Sequence, residues 1–208
     1  MLINSKCKIC RREGKKLFLK GERCYSSKCA LIKRKYPPGA HGQKGYPRLS
    51  DYGRQLREKQ SLRRSYYLSE KQFKAYFEKA KKRAGNTEEN FLKLLEQRLD
   101  NVVYRSGLVD SRRAARQIVS HGNILVNGRK VNIPSYQVKV GDEIKIKEKK
   151  NIVNQVKERM GSHKKESILP PWLSLDSKKY EIKIIQEPDI ESLLKEYEME
   201  LIVGYYSR

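Results

Sequence analysis

Acidic residues are scarce in this chain. Its 208 residues hold 24 Asp and Glu against 47 Lys and Arg, a formal net charge of +23. Long hydrophobic runs are missing too. No stretch approaches the roughly 18–20 apolar residues that span a bilayer, and the start, Met1 to Lys6, lacks the apolar core of a secretory signal. A soluble, cytoplasmic protein is the expectation. Histidine occurs only at positions 41, 121 and 163, too scattered for a shared site, and no carboxylate pair stands out. No catalytic domain is visible, so an enzyme is not expected. Cysteine is absent beyond residue 29, which confines thiol chemistry to the N-terminal segment.

What the chain does have is positive charge, unevenly placed. Residues 1–50 carry 14 Lys and Arg against two acids, whereas the last 21 residues carry two against five. Such a surplus opposes compaction by self-repulsion unless a polyanion neutralises it. With no membrane anchor, RNA or DNA is the polyanion that fits, bound through release of counterions from phosphates. The acidic C-terminal stretch is expected to face protein, either its own fold or a neighbour. Hydrophobic residues make up 38%, enough for one large or two small domains.

The four cysteines, Cys7, Cys10, Cys24 and Cys29, are spaced C-x2-C-x13-C-x4-C. Two close pairs separated by a loop suit a tetrahedral ion, each pair forming one knuckle. Lys6, Lys8, Arg11, Arg12, Arg23 and Lys28 crowd the pairs. Their charge favours thiolates and offsets a four-thiolate centre. One structural zinc ion is the favoured reading: metal ligation supplies folding energy to a segment with few apolar residues. Two disulfides are the competing reading, disfavoured for an intracellular chain. An iron–sulfur cluster fits the ligands, but nothing here indicates redox work.

Residues 36–45 are rich in Pro and Gly and read as an extended or turning linker lying along phosphates. From Ser50 the period becomes helical, with a basic helix predicted over 51–63. Ser69 is a good N-cap, with Gln72 completing a capping box, for a helix that turns Phe73, Tyr76, Phe77 and Ala80 to a core. Asn86 or Thr87 caps the next, with Phe91, Leu92, Leu94, Leu95 and Leu99 as its apolar face. Farther on, a helix is predicted near 151–160. Pro170-Pro171-Trp172 breaks the chain, residues 180–184 alternate like a strand, and Pro188 opens a short acidic helix. For residues 200–206 a helix is favoured over a strand.

The most informative stretch is 98–147, which reads helix, helix, hairpin. Ser111 caps a helix from Arg112 to His121, and Gly122 stops it. At about 100° per residue, Arg112, Arg113, Arg116, Gln117 and Ser120 share one arc, and Ala114, Ala115, Ile118 and Val119 share the opposite one. Three arginines with no acid on their arc suit a row of phosphates better than an ordinary solvated face. Asn127-Gly128 between β-formers predicts a type I′ hairpin, because both turn residues must take positive φ. The turn carries Arg129 and Lys130 toward the arginine helix. Val138, Val140, Ile144 and Ile146 predict further short strands.

The segments Arg98-Leu99-Asp100, 111–117, 121–128, Pro134-Ser135 and Val140-Gly141-Asp142 resemble the RNA-binding module named after small-subunit ribosomal protein four. The cysteine segment, residues 19–24, residues 36–42 and the ending Tyr205-Tyr206-Ser207-Arg208 resemble the zinc-binding, four-cysteine bacterial form of that ribosomal family. The likeness spans essentially the whole chain. One departure is Asn123, where the family usually has a second histidine.

The resemblance implies an α+β fold: a zinc knob and basic arm over 1–49, a helical domain over 50–97 closed by 188–208, and an inserted α/β RNA-binding module over 98–187. In that module two helices pack on a small antiparallel sheet. The resemblance also implies a structural component of the small ribosomal subunit. It would bind small-subunit ribosomal RNA at a 5′-domain junction, nucleate assembly of the subunit body, and touch a neighbouring protein, number five, near the messenger RNA entrance, where the interface affects decoding accuracy. Some members also repress translation of messengers. Neither a membrane nor a second copy of the chain is an expected partner. On this reading Arg98, Arg105, Arg112, Arg113, Arg116, Gln117, His121, Asn127 and Lys130 line the module. Arg11, Arg12, Lys16, Arg23, Lys44, Arg54, Arg57, Arg63 and Arg64 form a second, larger RNA surface.

Overall fold

The structure is a computed structural model that describes residues 5–147, 156 and 169–207. The helix predicted near 151–160 lies almost wholly outside the described residues. In chain order the helices are α1 (Lys6–Glu13), α2 (Ala30–Lys33), α3 (Asp51–Ser65), α4 (Glu70–Lys81), α5 (Thr87–Glu96), α6 (Leu99–Arg105), α7 (Arg112–Ser120), α8 (Glu191–Glu196) and α9 (Met199–Tyr206). The strands are β1 (Ile124–Val126), β2 (Arg129–Val131), β3 (Glu143–Ile146), β4 (Leu173–Asp176) and β5 (Glu181–Ile184). The chain divides into two compact units: residues 1–91 with 191–208, and residues 92–190. The division falls within α5.

The first unit is helical. Ser50 caps α3 by accepting from the Gly53 amide at 3.2 Å. Ser69 and Gln72 form both halves of the capping box that starts α4. Phe73, Phe77 and Ala80 are buried, with Tyr76 only half-buried. The Phe91 ring meets Phe73 and Phe77 edge-on, at 5.0 and 5.6 Å between centroids, an arrangement that aromatic quadrupoles favour. Residues 200–206 are helical, and α9 packs on α3. Its Tyr206 stacks on Phe77 at 4.7 Å and donates to Glu70 at 3.0 Å. Buried Lys59 of α3 reaches the same carboxylate at 2.6 Å and lies 4.3 Å from the Tyr205 ring centroid. The C-terminal segment therefore closes the helical unit through a shared carboxylate as well as through apolar contact.

The second unit packs α6 and α7 with a five-stranded antiparallel sheet in the order β2-β1-β3-β5-β4. Alternation sets its faces. Ile124, Val126, Ile144, Ile146, Ile182 and Ile184 enter one core with Leu99, Val102, Val103, Ala115, Val119 and Trp172. Lys145 and Lys183 take the outward positions and pair with Glu181 and Glu143. Asn127 and Gly128 have φ of 49° and 77°, the two positive values that the tight hairpin requires.

Two strand expectations need correction. Residues 138–140 form no named strand: Val138 is buried, Val140 is exposed, and the only pairing nearby is a single bridge from Gln137 to Arg98. Strand β4 was not anticipated. It begins one residue after Pro170-Pro171, where proline precedes the ladder and removes no ladder hydrogen bond, and the intervening Trp172, buried, anchors it.

Candidate nucleic-acid interface and thiol cluster

On α7 the predicted separation of faces is present: Ala115 and Val119 are buried, whereas Arg113, Gln117 and Ser120 are exposed. Ser111 caps the helix by accepting from the Ala114 amide at 3.3 Å. Arg112 and Arg113 occupy the first turn, which holds no acid. Cations at that end oppose the helix dipole, which favours an anion there by about 0.3–1 kcal/mol. The first turn of α7 is thus an unusually positive position whose electrostatics improve when a phosphate arrives. At the other end His121 is exposed and follows the last helical residue. Exposed Lys130 runs across Gly122, where even a Cβ would collide with its stem. Arg113, Gln117, His121 and Lys130 therefore lie exposed on α7 and the turn beside it.

Other predicted contacts are committed to the protein itself. Arg98 is 1% exposed and donates to Asp100 twice, at 3.0 and 2.6 Å. Its place on the RNA-facing surface is a misreading, because burial and a carboxylate partner make it a core residue. Arg105 forms a double contact with buried Glu96 at 3.1 and 3.0 Å. Arg112 is half-buried, donates to Asn101 at 2.8 Å and lies over the Tyr104 ring. Arg116 is half-buried too. Asn127 is exposed, yet its amide donates to Asp142 and accepts from the Glu143 amide, so it holds β3 against the hairpin.

In the first unit Arg12, Lys16, Arg23, Lys44 and Arg54 are exposed, Arg54 with Asp51 as a surface partner. Arg11 is 9% exposed. It donates to the carbonyls of Tyr36 and Pro37 and lies over the Tyr36 ring, so it fixes the Pro-Gly linker and is a second correction to the expected surface. Arg57 and Arg64 both reach the fully buried carboxylate of Glu13. Burial pushes that carboxyl up despite the two guanidinium groups. Arg63 serves Gln60, the Leu68 carbonyl and Glu70. Sequence reasoning passed over Lys33, Arg34, Lys35, Arg48 and Lys139, all exposed. Local charge density was the available signal for the first three.

The four cysteines are unpaired by disulfides and border one small cavity of about 20 Å³, together with Lys6, Lys20, Arg23 and Leu19. Cys10, Cys24 and Cys29 are buried, and Cys7 is half-buried. The Lys20 amide donates to the Cys24 sulfur at 3.4 Å. Burial, with the nearby Cys24, Cys7 and Cys29 adding to it against a backbone hydrogen bond at Leu17, pushes the Cys10 thiol up to about 11. Among the described residues no three His, Cys, Asp or Glu side chains stand in a ready metal-ligating array.

A helix–helix–hairpin module with an arginine-bearing helix, joined in sequence to a basic helical unit, defines an RNA-binding protein. Sequence profiles agree on both parts. The profile described as ribosomal protein S4/S9 N-terminal domain matches residues 1–96, and that of the S4 domain matches residues 97–144. The small ribosomal subunit protein uS4 of Thermus thermophilus is 52% identical over 206 residues, covering 99% of this chain and 98% of that one. The protein of the same name from Halothermothrix orenii is 53% identical over 203 residues, covering 97% and 96%. The chain belongs to the uS4 family of small ribosomal subunit proteins.

Proposed function

We propose that this chain is a structural, RNA-binding component of the small ribosomal subunit, holding ribosomal RNA with a basic surface on each unit. Its family is one of ribosomal proteins, not enzymes. The observation that carries the RNA assignment is α7, with Arg112 and Arg113 in an acid-free first turn and Gln117, His121 and Lys130 exposed beside it. Structured RNA is recognised mainly by shape and by backbone and sugar contacts. Cations thus supply affinity, and the fixed spacing of rigid elements supplies selectivity. We infer further that the RNA is a multi-helix junction of the 5′ domain and that binding there nucleates assembly of the subunit body. A neighbouring protein, number five, near the messenger RNA entrance is the inferred protein contact, with an influence on decoding accuracy. We infer repression of a messenger as a second role.

The chain is expected to co-sediment with small subunits and to bind a 5′-domain fragment of small-subunit ribosomal RNA in preference to an unrelated structured RNA of equal length. Equal affinity for both would overturn the junction assignment.

We infer that the thiol cluster holds one structural zinc ion. Four thiols around one cavity, with Lys6, Lys20 and Arg23 to offset their charge, match the donor set of a closed tetrahedral site. Cys7, Cys10, Cys24 and Cys29 would hold the ion, which supplies a cross-link between α1 and the segment ending at Cys29. Native protein is expected to carry about one zinc per chain, and chelation to loosen mainly residues 1–35. Zinc-free native protein would refute the site.

A further inference from the structure

Asn101 is buried on α6, 1% exposed, and both ends of its amide are in use. Its Nδ2 donates to the Glu96 carbonyl at 3.1 Å, and its Oδ1 accepts from Nε of Arg112 at 2.8 Å. One partner needs a donor and the other an acceptor, so the direction of the amide is fixed. Three residues farther along α6, on the same helical face, the Tyr104 ring lies 4.6 Å from the Arg112 guanidinium carbon. The guanidinium is therefore held by a hydrogen bond and against a ring, at the first residue of α7. Arginine ordinarily loses rotamer freedom when it grips a ligand. Here that loss falls on folding instead.

We infer that Asn101 is a positioning residue for RNA recognition: it holds Arg112 over Tyr104 so that the guanidinium meets a phosphate already ordered. This rests on α7 being an RNA face. Alternatives at the position fail for stated reasons. Aspartate would set a buried carboxylate against the Glu96 carbonyl. Leucine offers neither donor nor acceptor. Glutamine carries an extra methylene into a filled site. Tyr104 shares the task, with the ring as the floor and the amide as the stop.

The test is a double-mutant cycle on the full chain, read as affinity for the 5′-domain RNA fragment and as the slope of log affinity against log salt. Arg112→Ala removes a charge and lowers the magnitude of the slope by about 0.7–0.9. Asn101→Ala leaves that charge in place. It weakens binding about two- to tenfold, the effect of immobilising one rotamer-rich side chain, at the parental slope. In the Arg112→Ala background it changes nothing further. Tyr104→Leu repeats the pattern while leaving both Asn101 hydrogen bonds intact, and it carries the cycle if Asn101→Ala fails to fold. The positioning role is overturned if Asn101→Ala, or Tyr104→Leu in its stead, weakens binding by the same factor with and without Arg112, or does not weaken it at all. If Arg112→Ala alone leaves affinity and slope unchanged, the RNA face itself is misassigned and the positioning role falls with it. That outcome is distinct, because the single Arg112 variant is then already silent.

Discussion

Replacing Arg113 and Lys130 together with alanine isolates the phosphate-binding contribution of the α7 face. Both side chains are exposed. Among the described residues neither meets a carboxylate, so their loss breaks no ion pair of the fold. Surface substitutions of this kind fall within about 0.5 kcal/mol, and loss of Lys130 from the end of α7 adds at most about 1 kcal/mol through the helix dipole. The consequence for RNA is larger. Each phosphate contact contributes about 0.7–0.9 to the salt slope, so losing two lowers its magnitude by about 1.4–1.8. Between about 50 and 200 mM salt, the ratio of parental to variant affinity then narrows by about seven- to twelvefold. Filter binding across that range, with thermal unfolding as the fold control, measures both quantities. The charge-conserving variant Arg113→Lys with Lys130→Arg is expected to keep the parental slope. A double-alanine variant with the parental slope would refute the assignment of this face, whatever its affinity.

Other outcomes follow from buried polar contacts. Asp100→Ala takes the carboxylate away from the buried Arg98 guanidinium and is expected to cost about 3–5 kcal/mol in denaturant unfolding, whereas Arg98→Met with Asp100→Leu costs much less; equal losses would contradict a buried pair. Asn127→Ala keeps the positive φ but removes the short polar side chain that makes asparagine tolerant of it, together with two side-chain hydrogen bonds, and is expected to cost about 1–2 kcal/mol. Unchanged stability would mean that the turn tolerates another geometry. Burial alone would raise the Glu70 carboxyl, but hydrogen bonds from Lys59 and Tyr206, with the charges of Lys59 and Arg63, outweigh it and hold it below its ordinary value. The stabilisation is then complete above the unfolded value of about 4.3 and is lost as pH falls through the lower folded one. Amide exchange in α9 is expected to accelerate below about pH 4, and Glu70→Gln to abolish that acid sensitivity. Identical acid profiles for the two proteins would rule the linkage out.

Much was legible in the sequence wherever the governing physics is local. The Asn127-Gly128 hairpin needs only two residues that accept positive φ. The start of α4 needs only Ser69 and Gln72 three positions apart. The split faces of α7 follow from helical period alone, and the bunching of four cysteines within 29 residues brings their thiols round one cavity. Strand β4 was passed over although Leu173-Ser174-Leu175-Asp176 alternates apolar and polar residues, because a run of four behind the chain-breaking Pro-Pro-Trp is too short to specify a strand by itself. Leu173 to Asp176 extend because β5 offers an open edge to pair with.

The sequence by itself determined that this protein is strongly cationic, that its arginines cluster, and to which family it belongs. Only the tertiary structure decided what each arginine does. A guanidinium binds RNA phosphate, a carboxylate or a backbone carbonyl with the same fork, so its identity and charge cannot say which partner it finds. Arg11 meets carbonyls 25 and 26 residues away, and Arg57 and Arg64 meet Glu13 across 44 and 51 residues. Those partners exist only once the chain has folded, and they withdraw from the solvent-facing surface charges that composition had counted toward it.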